Sequence, residues 1–222
     1  MIESLDKLKR HLDYKFGDEA LLETALTHRS VTQNNNERLE YLGDAVLGMV
    51  IAEELFKRFP KANEGELSRL RASLVKGETL AEIALSFDLG DVVRLGQGEL
   101  KSGGFRRKSI LADAFEAILG AIYLDGGFES CRKIILEQFS SRLDTASPET
   151  AEKDPKTRLQ EYRQASKESL PEYEIVNITG EEHAQTFTVE CVVTGMSPVR
   201  AEGSSRRKAE QAAAAMILET LD

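Results

Sequence analysis

The sequence predicts a multidomain protein, an all-helical domain followed by a small α+β domain in the order α-β-β-β-α. Three observations carry this. Apolar residues recur at helical spacing up to about residue 143. A small, polar, aperiodic stretch, Asp144 to Lys153, reads as a flexible linker. From Asp154 onward the pattern changes to a helix, three strands and a helix within 154–222.

Taken in order, the first strong helix lies between Glu37 and Phe59, where Leu39, Leu42, Val46, Met49 and Val50 share helical spacing and Pro60 closes the run. Asn63 with Glu66 three residues on reads as a capping box opening a helix through Leu67, Leu70 and Leu74. Another helix runs from about Glu78 to Phe87. A glycine-rich loop is expected from Gly96 to Gly104, then a strongly apolar helix from Ser109 to Leu124. Gly126-Gly127 ends that helix, and a last one covers about Glu129 to Leu143.

In the second domain, Asp154-Pro155 is an N-cap and N1 pair. Strands are expected over Tyr173 to Ile178, through Phe187, Val189, Cys191 and Val193, and near Pro198 to Ala201. Thr179 to Glu182 and Thr194-Gly195 supply the turns, and the final alanine-rich helix starts near Ser205.

Composition narrows the class. With 41% hydrophobic and 30% charged residues, the chain is neither collagen-like nor wholly disordered. Its longest apolar runs, Ala117 to Leu124 and Ala212 to Leu218, are too short to cross a bilayer, and Met1 to Lys7 shows no secretory signal. Cys131 and Cys191 match no metal-ligand spacing, so a cytoplasmic protein with buried thiols is expected.

Lys plus Arg number 29 against 38 Asp plus Glu, a net charge of −9. That total speaks against a nucleic-acid partner less than it appears on its face, because binding responds to local potential. Arg106-Arg107-Lys108 and Arg206-Arg207-Lys208 are compact cationic triplets beside glycine or serine. Three cations at a helix N-terminus oppose the helix dipole unless an anion docks there, and phosphate is the obvious one.

The acidic residues are equally ordered. Asp113 and Glu116 are the only charges from Ile110 to Leu124, and at i and i+3 they share one face. A helix apolar nearly all round is buried, and an unpaired buried carboxylate is costly, so something positive must meet this face. Glu37, Glu40 and Asp44 line one face of the earlier helix. If the two helices pack face to face, Glu40, Asp44, Asp113 and Glu116 converge on a divalent cation, and all-oxygen ligation suits Mg²⁺ or Mn²⁺. Solvated acids or remote ion pairs are the bland alternative. A di-iron bundle needs Glu-x-x-His, but Gly43 and Leu119 follow Glu40 and Glu116 at that spacing. Glu64 reads equally well as a dipole-complementing acid, and His28 as a locally bonded structural histidine. Metal-assisted attack on a phosphodiester beside phosphate-binding cations is the chemistry this pattern supports.

Glu37 to Leu47, Glu-Arg-Leu-Glu-Tyr-Leu-Gly-Asp-Ala-Val-Leu, closely resembles the signature helix of ribonuclease III. Lys101 to Glu116 resembles that family's second acidic motif, and 154–222 resembles a double-stranded-RNA-binding domain. The resemblance implies a homodimeric, Mg²⁺-dependent endoribonuclease that cuts double-stranded RNA, as in processing of ribosomal RNA precursors and mRNA. Its products would carry 5′-phosphate and 3′-hydroxyl ends with short 3′ overhangs. It implies Glu40, Asp44, Asp113 and Glu116 as metal ligands, with Asp44 and Glu116 catalytic, and Glu37 and Glu64 in support or RNA positioning. In the second domain it implies RNA contacts by Thr157, Gln160 and Glu161, by His183 between the first two strands, and by Ser205, Arg206, Arg207 and Lys208. Shape and 2′-hydroxyl recognition then dominate over sequence. One departure is Glu210, where many such modules carry a further Lys, a change expected to weaken binding by the module. The rival readings are a duplex-RNA-binding protein that does not cut, and a non-nucleolytic helical metalloprotein with an RNA module.

Overall fold

The helices that the periodicity marks most strongly become the centre of the first domain. In the computed structural model, which describes residues 2–148, 154–181 and 185–221 with side chains from residue 5, the chain divides into two compact units, Met1–Ala151 and Glu152–Asp222. The first holds α1 (Ile2–Leu12), α2 (Glu19–Ala25), α3 (Glu37–Arg58), α4 (Glu64–Leu74), α5 (Gly77–Ser86), α6 (Gln97–Lys101) and α7 (Lys108–Thr145). The second holds α8 (Pro155–Ala165), β1 (Glu172–Thr179), β2 (Thr186–Val192), β3 (Val199–Gly203) and α9 (Arg206–Glu219).

Local chemistry explains the helix starts. Asn63 Oδ1 accepts from the Glu66 amide while Glu66 Oε2 accepts from the Asn63 amide, the reciprocal pair of a capping box. Asp154 caps α8 by accepting from the Thr157 amide, with Pro155 in the first turn, and Ser205 caps α9. α7 is broken at Gly127, whose φ of 77° suits glycine, so the two helices expected on either side are joined at that kink. Just before it, Asp125 accepts from the Tyr14 hydroxyl and from the amides of Gly17 and Asp18, tying the α1–α2 connection to α7.

The expected loop from Gly96 to Gly104 is more ordered than its glycines imply. It carries α6 and a short 3₁₀ turn, Gly104–Arg106. The reason is packing: a Cβ at Gly104 would lie 2.8 Å from the Glu99 carbonyl oxygen, and one at Gly96 2.4 Å from that of Ser30. These glycines allow close approach as well as turns. The candidate linker 144–153 begins inside α7, and its residues 149–153 lie outside the described residues.

α3 and α7 form the heart of the first core through Leu39, Val46, Leu47, Val50, Ile51 and Leu55 against Leu111, Phe115, Ile118, Leu119 and Ile122. The second unit is an antiparallel sheet, β1-β2-β3, covered by α8 and α9, with Leu159, Cys191, Val193, Ala213, Ala214 and Ile217 as its core. The β1–β2 register breaks between Ile175 and Asn177, leaving Val176 as a bulge. Buried Arg163 donates to the carbonyls of Ser169 and Thr194, anchoring the segment after α8 to the β2–β3 turn.

Candidate metal centre and RNA-facing helices

Two glycines set the geometry of the acidic cluster. A Cβ on Gly43 of α3 would stand 1.8 Å from the Glu116 carbonyl oxygen, and one on Gly120 of α7 would stand 2.2 Å from that of Leu39. The helices therefore cross at backbone contact, closer than any side chain allows. Because Glu40 and Asp44 flank Gly43, and Asp113 and Glu116 precede Gly120 on the facing side, the crossing brings carboxylates from both helices together.

Glu40, Asp113 and Glu116 each place a carboxylate oxygen within 4.8 Å of the others, and all three are partly buried. Asp44 is exposed and outside that closest trio, yet near enough for its charge to act on Glu116. Burial, then the charges of Asp44, Glu40 and Asp113, drive the Glu116 carboxyl up to about 8. Burial and Asp113 likewise raise Glu40, and burial raises Asp113. Among the described residues no ion pair reaches any of these four acids. Two arginines line the adjoining cavity, Arg29 paired with Glu37 at 3.3 Å and Arg107 with Glu99 at 2.9 Å. Such a set of converging oxygens, touched by no ion pair of the chain and only weakly offset by the charges of His28 and Arg29, fits a hard divalent cation.

A cavity of about 280 Å³ opens beside the cluster, lined by His28, Arg29, Asn36, Glu37, Glu40, Glu99, Arg107, Ser109, Ile110 and Asp113. Glu37 thus lies at its edge, and Arg107 of the first cationic triplet reaches it from the start of α7. His28 bonds locally to Ser30 as expected, but also lines the cavity, and its charge acts on Asp113. Arg29, Asn36 and Glu99 escaped sequence reasoning. They arrive through a backbone bridge between Thr27 and Arg94 and the bond from the Asn36 amide to the Thr27 carbonyl, pairings invisible in local sequence. Glu64 is not brought to the cluster. It accepts from the Ser68 hydroxyl and lines a separate groove of about 410 Å³ with Ala52, Phe56 and Leu67.

In the second unit, the predicted RNA-contact residues fall on two helix starts. Thr157 donates its hydroxyl to Asp154, while Gln160 and Glu161 are exposed on the next turn of α8. Ser205 accepts from the Lys208 amide, and Arg206, Arg207 and Lys208 are exposed in the first turn of α9. His183 lies outside the described residues.

Comparison with known proteins is consistent across the chain. The family described as Ribonuclease-III-like matches residues 18–143, and the double-stranded RNA binding motif matches 155–221. The chain is 58% identical over 222 residues to Ribonuclease 3 of Vibrio parahaemolyticus serotype O3:K6, covering 100% of this chain and 99% of that protein. Ribonuclease 3 of Shewanella amazonensis is also 58% identical, covering 100% and 98%. A solved nuclease domain of ribonuclease III from Campylobacter jejuni, described as flexible in a region involved in dimer formation, superposes with a TM-score of 0.61 at 48% identity, covering 62% of this chain and 96% of that one.

Proposed function

The chain belongs to the ribonuclease III family, and from that premise we propose that its first unit holds Mg²⁺, replaceable by Mn²⁺, on Glu40, Asp44, Asp113 and Glu116. The protein is an endoribonuclease acting on double-stranded RNA, a hydrolase with a nuclease unit and an RNA-binding unit. The observation that carries the metal assignment is the trio of carboxylate oxygens within 4.8 Å, partly buried and, among the described residues, without an ion-pair partner.

A bound divalent cation supplies a water of lowered pKa and charge stabilisation for the developing phosphoryl oxygens. The chain's own residues do the rest. Glu116 and Asp44, proposed as the catalytic pair of ligands, come from two helices that Gly43 and Gly120 allow to cross at backbone contact. Arg29 and Arg107 at the cavity edge offset phosphate charge that the cluster would otherwise repel. Glu37 and Glu64 are supporting acids, Glu37 beside the cavity and Glu64 in the second groove. Products with 5′-phosphate and 3′-hydroxyl ends and short 3′ overhangs follow from this reading, as does a part in ribosomal RNA processing.

RNA is held by Thr157, Gln160, Glu161 and His183 and by Ser205, Arg206, Arg207 and Lys208, through minor-groove and phosphate contacts. A homodimer is supported by the outer face of α3, where Tyr41, Met49 and Phe56 are 81%, 62% and 71% exposed. Gly48 on that face would place a Cβ with nothing within 4 Å, and the stripe runs into the groove of Phe56 and Leu67. Among the described residues no helix is long and apolar enough to cross a membrane. Two buried free cysteines support a cytoplasmic setting.

The test is cleavage of long double-stranded RNA, with single-stranded RNA and duplex DNA as controls, in Mg²⁺, in Ca²⁺ and in chelator. Cutting of duplex RNA alone, and only with Mg²⁺, is expected. RNA retarded but intact in every condition would overturn the metal assignment.

A further inference from the structure

Glu210 follows the second cationic triplet and reads in sequence as a lost phosphate contact. Its setting is that of a buried acid paired twice within the chain. It is 7% exposed, and its carboxylate faces inward between two helices. Lys156 Nζ of α8 donates to Glu210 Oε2 at 2.6 Å, and Arg206 Nε of α9 donates to Oε1 at 2.9 Å. Lys156 also sits 4.5 Å from the Tyr173 ring centroid. A second tie runs beside the first. The Lys156 amide donates to Gln211 Oε1, and Gln211 Nε2 donates to Asp154, the residue that caps α8 and accepts from Thr157. Burial pushes the Glu210 carboxyl up, but the bonds from Lys156 and Arg206 outweigh it and hold it below the ordinary range.

We infer that Glu210 is a positioning residue for duplex RNA, clamping Lys156 at the start of α8 to Arg206 at the start of α9 so that the two RNA-facing helix starts are held at a fixed spacing. The inference rests on the proposed reading that these two starts meet RNA. Stability alone does not require the arrangement, because a buried ion pair is often replaceable by apolar side chains of similar volume. What an apolar side chain cannot do is aim a guanidinium. Arg206 commits only Nε to Glu210, and its side chain is 62% exposed, so the outer nitrogens are presented at a set angle for a phosphate. A lysine at 210 would instead bury a third cation against Lys156 and Arg206. Position 210 then acts as a clamp where a lysine would have acted as a contact.

The sign of one measurement separates this from simple electrostatics. Removing a negative charge beside a phosphate-binding surface tightens binding if charge is all that matters. Removing a clamp loosens it, because the helix starts must then be ordered on binding.

The full-length chain is tested as Glu210→Gln and Glu210→Met, with Glu210→Asp as the conservative variant, at a temperature where thermal unfolding shows each folded. Affinity for duplex RNA is measured in chelator, and KM and kcat in Mg²⁺. Both neutral variants are expected to weaken binding and raise KM about tenfold, with kcat within about twofold, and Glu210→Asp to recover most of the loss. Equal or tighter binding by either folded neutral variant overturns the inference. Replacing Arg206, Arg207 and Lys208 together by alanine distinguishes the two levels of failure. If that variant binds normally, α9 does not meet RNA and the underlying reading fails; if it binds weakly while Glu210→Gln and Glu210→Met bind normally, only the clamp fails.

Discussion

Glu116 and Glu210 are the same residue in similar local sequence, each set in an apolar or alanine-rich helix and mostly withdrawn from water. Their surroundings answer the cost of that withdrawal in opposite ways. Around Glu116, burial and three further acids drive its carboxyl up to about 8. Around Glu210, burial acts in the same direction but two cations reverse it. A charge matched within the chain is proposed as a fastening between helices, and the unmatched one as a place for a cation. The flanking residues separate the two cases only in part: Arg206, one turn before Glu210 on the same helix, is paired with it, whereas no cation lies near Glu116 on its own helix. The rest of the difference lies in what the facing helix presents: Glu40 and Asp44 from α3 in one unit, Lys156 from α8 in the other.

The sharpest way to break this comparison is to neutralise the unmatched acid. Glu116→Gln keeps the shape and removes the charge proposed to meet the metal. Cleavage is expected to fall by on the order of 10³-fold, since a metal's charge stabilisation is worth several kcal/mol in the transition state. Duplex RNA affinity measured in chelator should be unchanged. A single-turnover rate within about tenfold of wild type across a Mg²⁺ titration would remove Glu116 from the metal site.

The next largest effect belongs to the crossing that creates the cluster. Gly43→Ala adds a methyl group where a Cβ would stand 1.8 Å from the Glu116 carbonyl oxygen, so α3 and α7 must move apart. Because the clash is with backbone, the strain lies at or above the upper end of about 1–3 kcal/mol and exceeds the gain of about 1 kcal/mol from alanine's helix propensity. A lower melting temperature of the nuclease unit and a large loss of cleavage are expected together. An unchanged melting temperature would mean the crossing is looser than the geometry requires.

That crossing also marks where legibility in sequence ends. The capping box at Asn63 and Glu66, the Asp154 cap and the bounds of α3 were readable because each depends on neighbours three or four residues away. Asp113 and Glu116 stood out because charge inside an apolar run has a local signature. Gly43 and Gly120 did not, since their meaning depends on two helices meeting. Arg29, Asn36 and Glu99 reach the cavity through long-range backbone pairings, and the order between Gly96 and Gly104 comes from close packing that glycine content disguises as a loop. The burial of Glu210 was hidden for a related reason: of the two cations paired with it, Arg206 lies one turn earlier on its own helix but Lys156 lies 54 positions away in sequence.

The matched region yields a smaller effect in affinity. Alanine at Arg206, Arg207 and Lys208 should weaken duplex binding and flatten its dependence on salt. Three fully available cations would reduce the slope of log K against log salt by up to about 2.7, taking about 0.9 per phosphate contact. Because Glu210 already offsets part of the Arg206 charge, a reduction nearer about 2 is expected. Binding measured across a potassium chloride series gives the slope, and no change would place the triplet away from phosphate.

The smallest effect, and the one that sets the two glutamates side by side, is in stability against pH without metal. Folded Glu116 titrates near 8 against an ordinary value of 4.5, so between these the folded chain retains a proton the unfolded chain has lost. Stability of the nuclease unit should therefore fall as pH rises through that window. Glu210 has the opposite sign: its contribution is present above the ordinary glutamate value and is lost as pH falls through its depressed folded one. In chelator, the melting transition of the nuclease unit should move down from pH 5 to pH 8 while that of the RNA-binding unit stays level and drops only in acid. Added Mg²⁺ should recover more of the first transition at pH 8 than at pH 6, because the cation competes with the proton for the same carboxylates. Glu116→Gln should remove most of that slope and leave the second transition alone. A nuclease transition that instead rises with pH in chelator would mean some cation of the chain already matches the cluster, and the contrast between an open charge and a closed one would be lost.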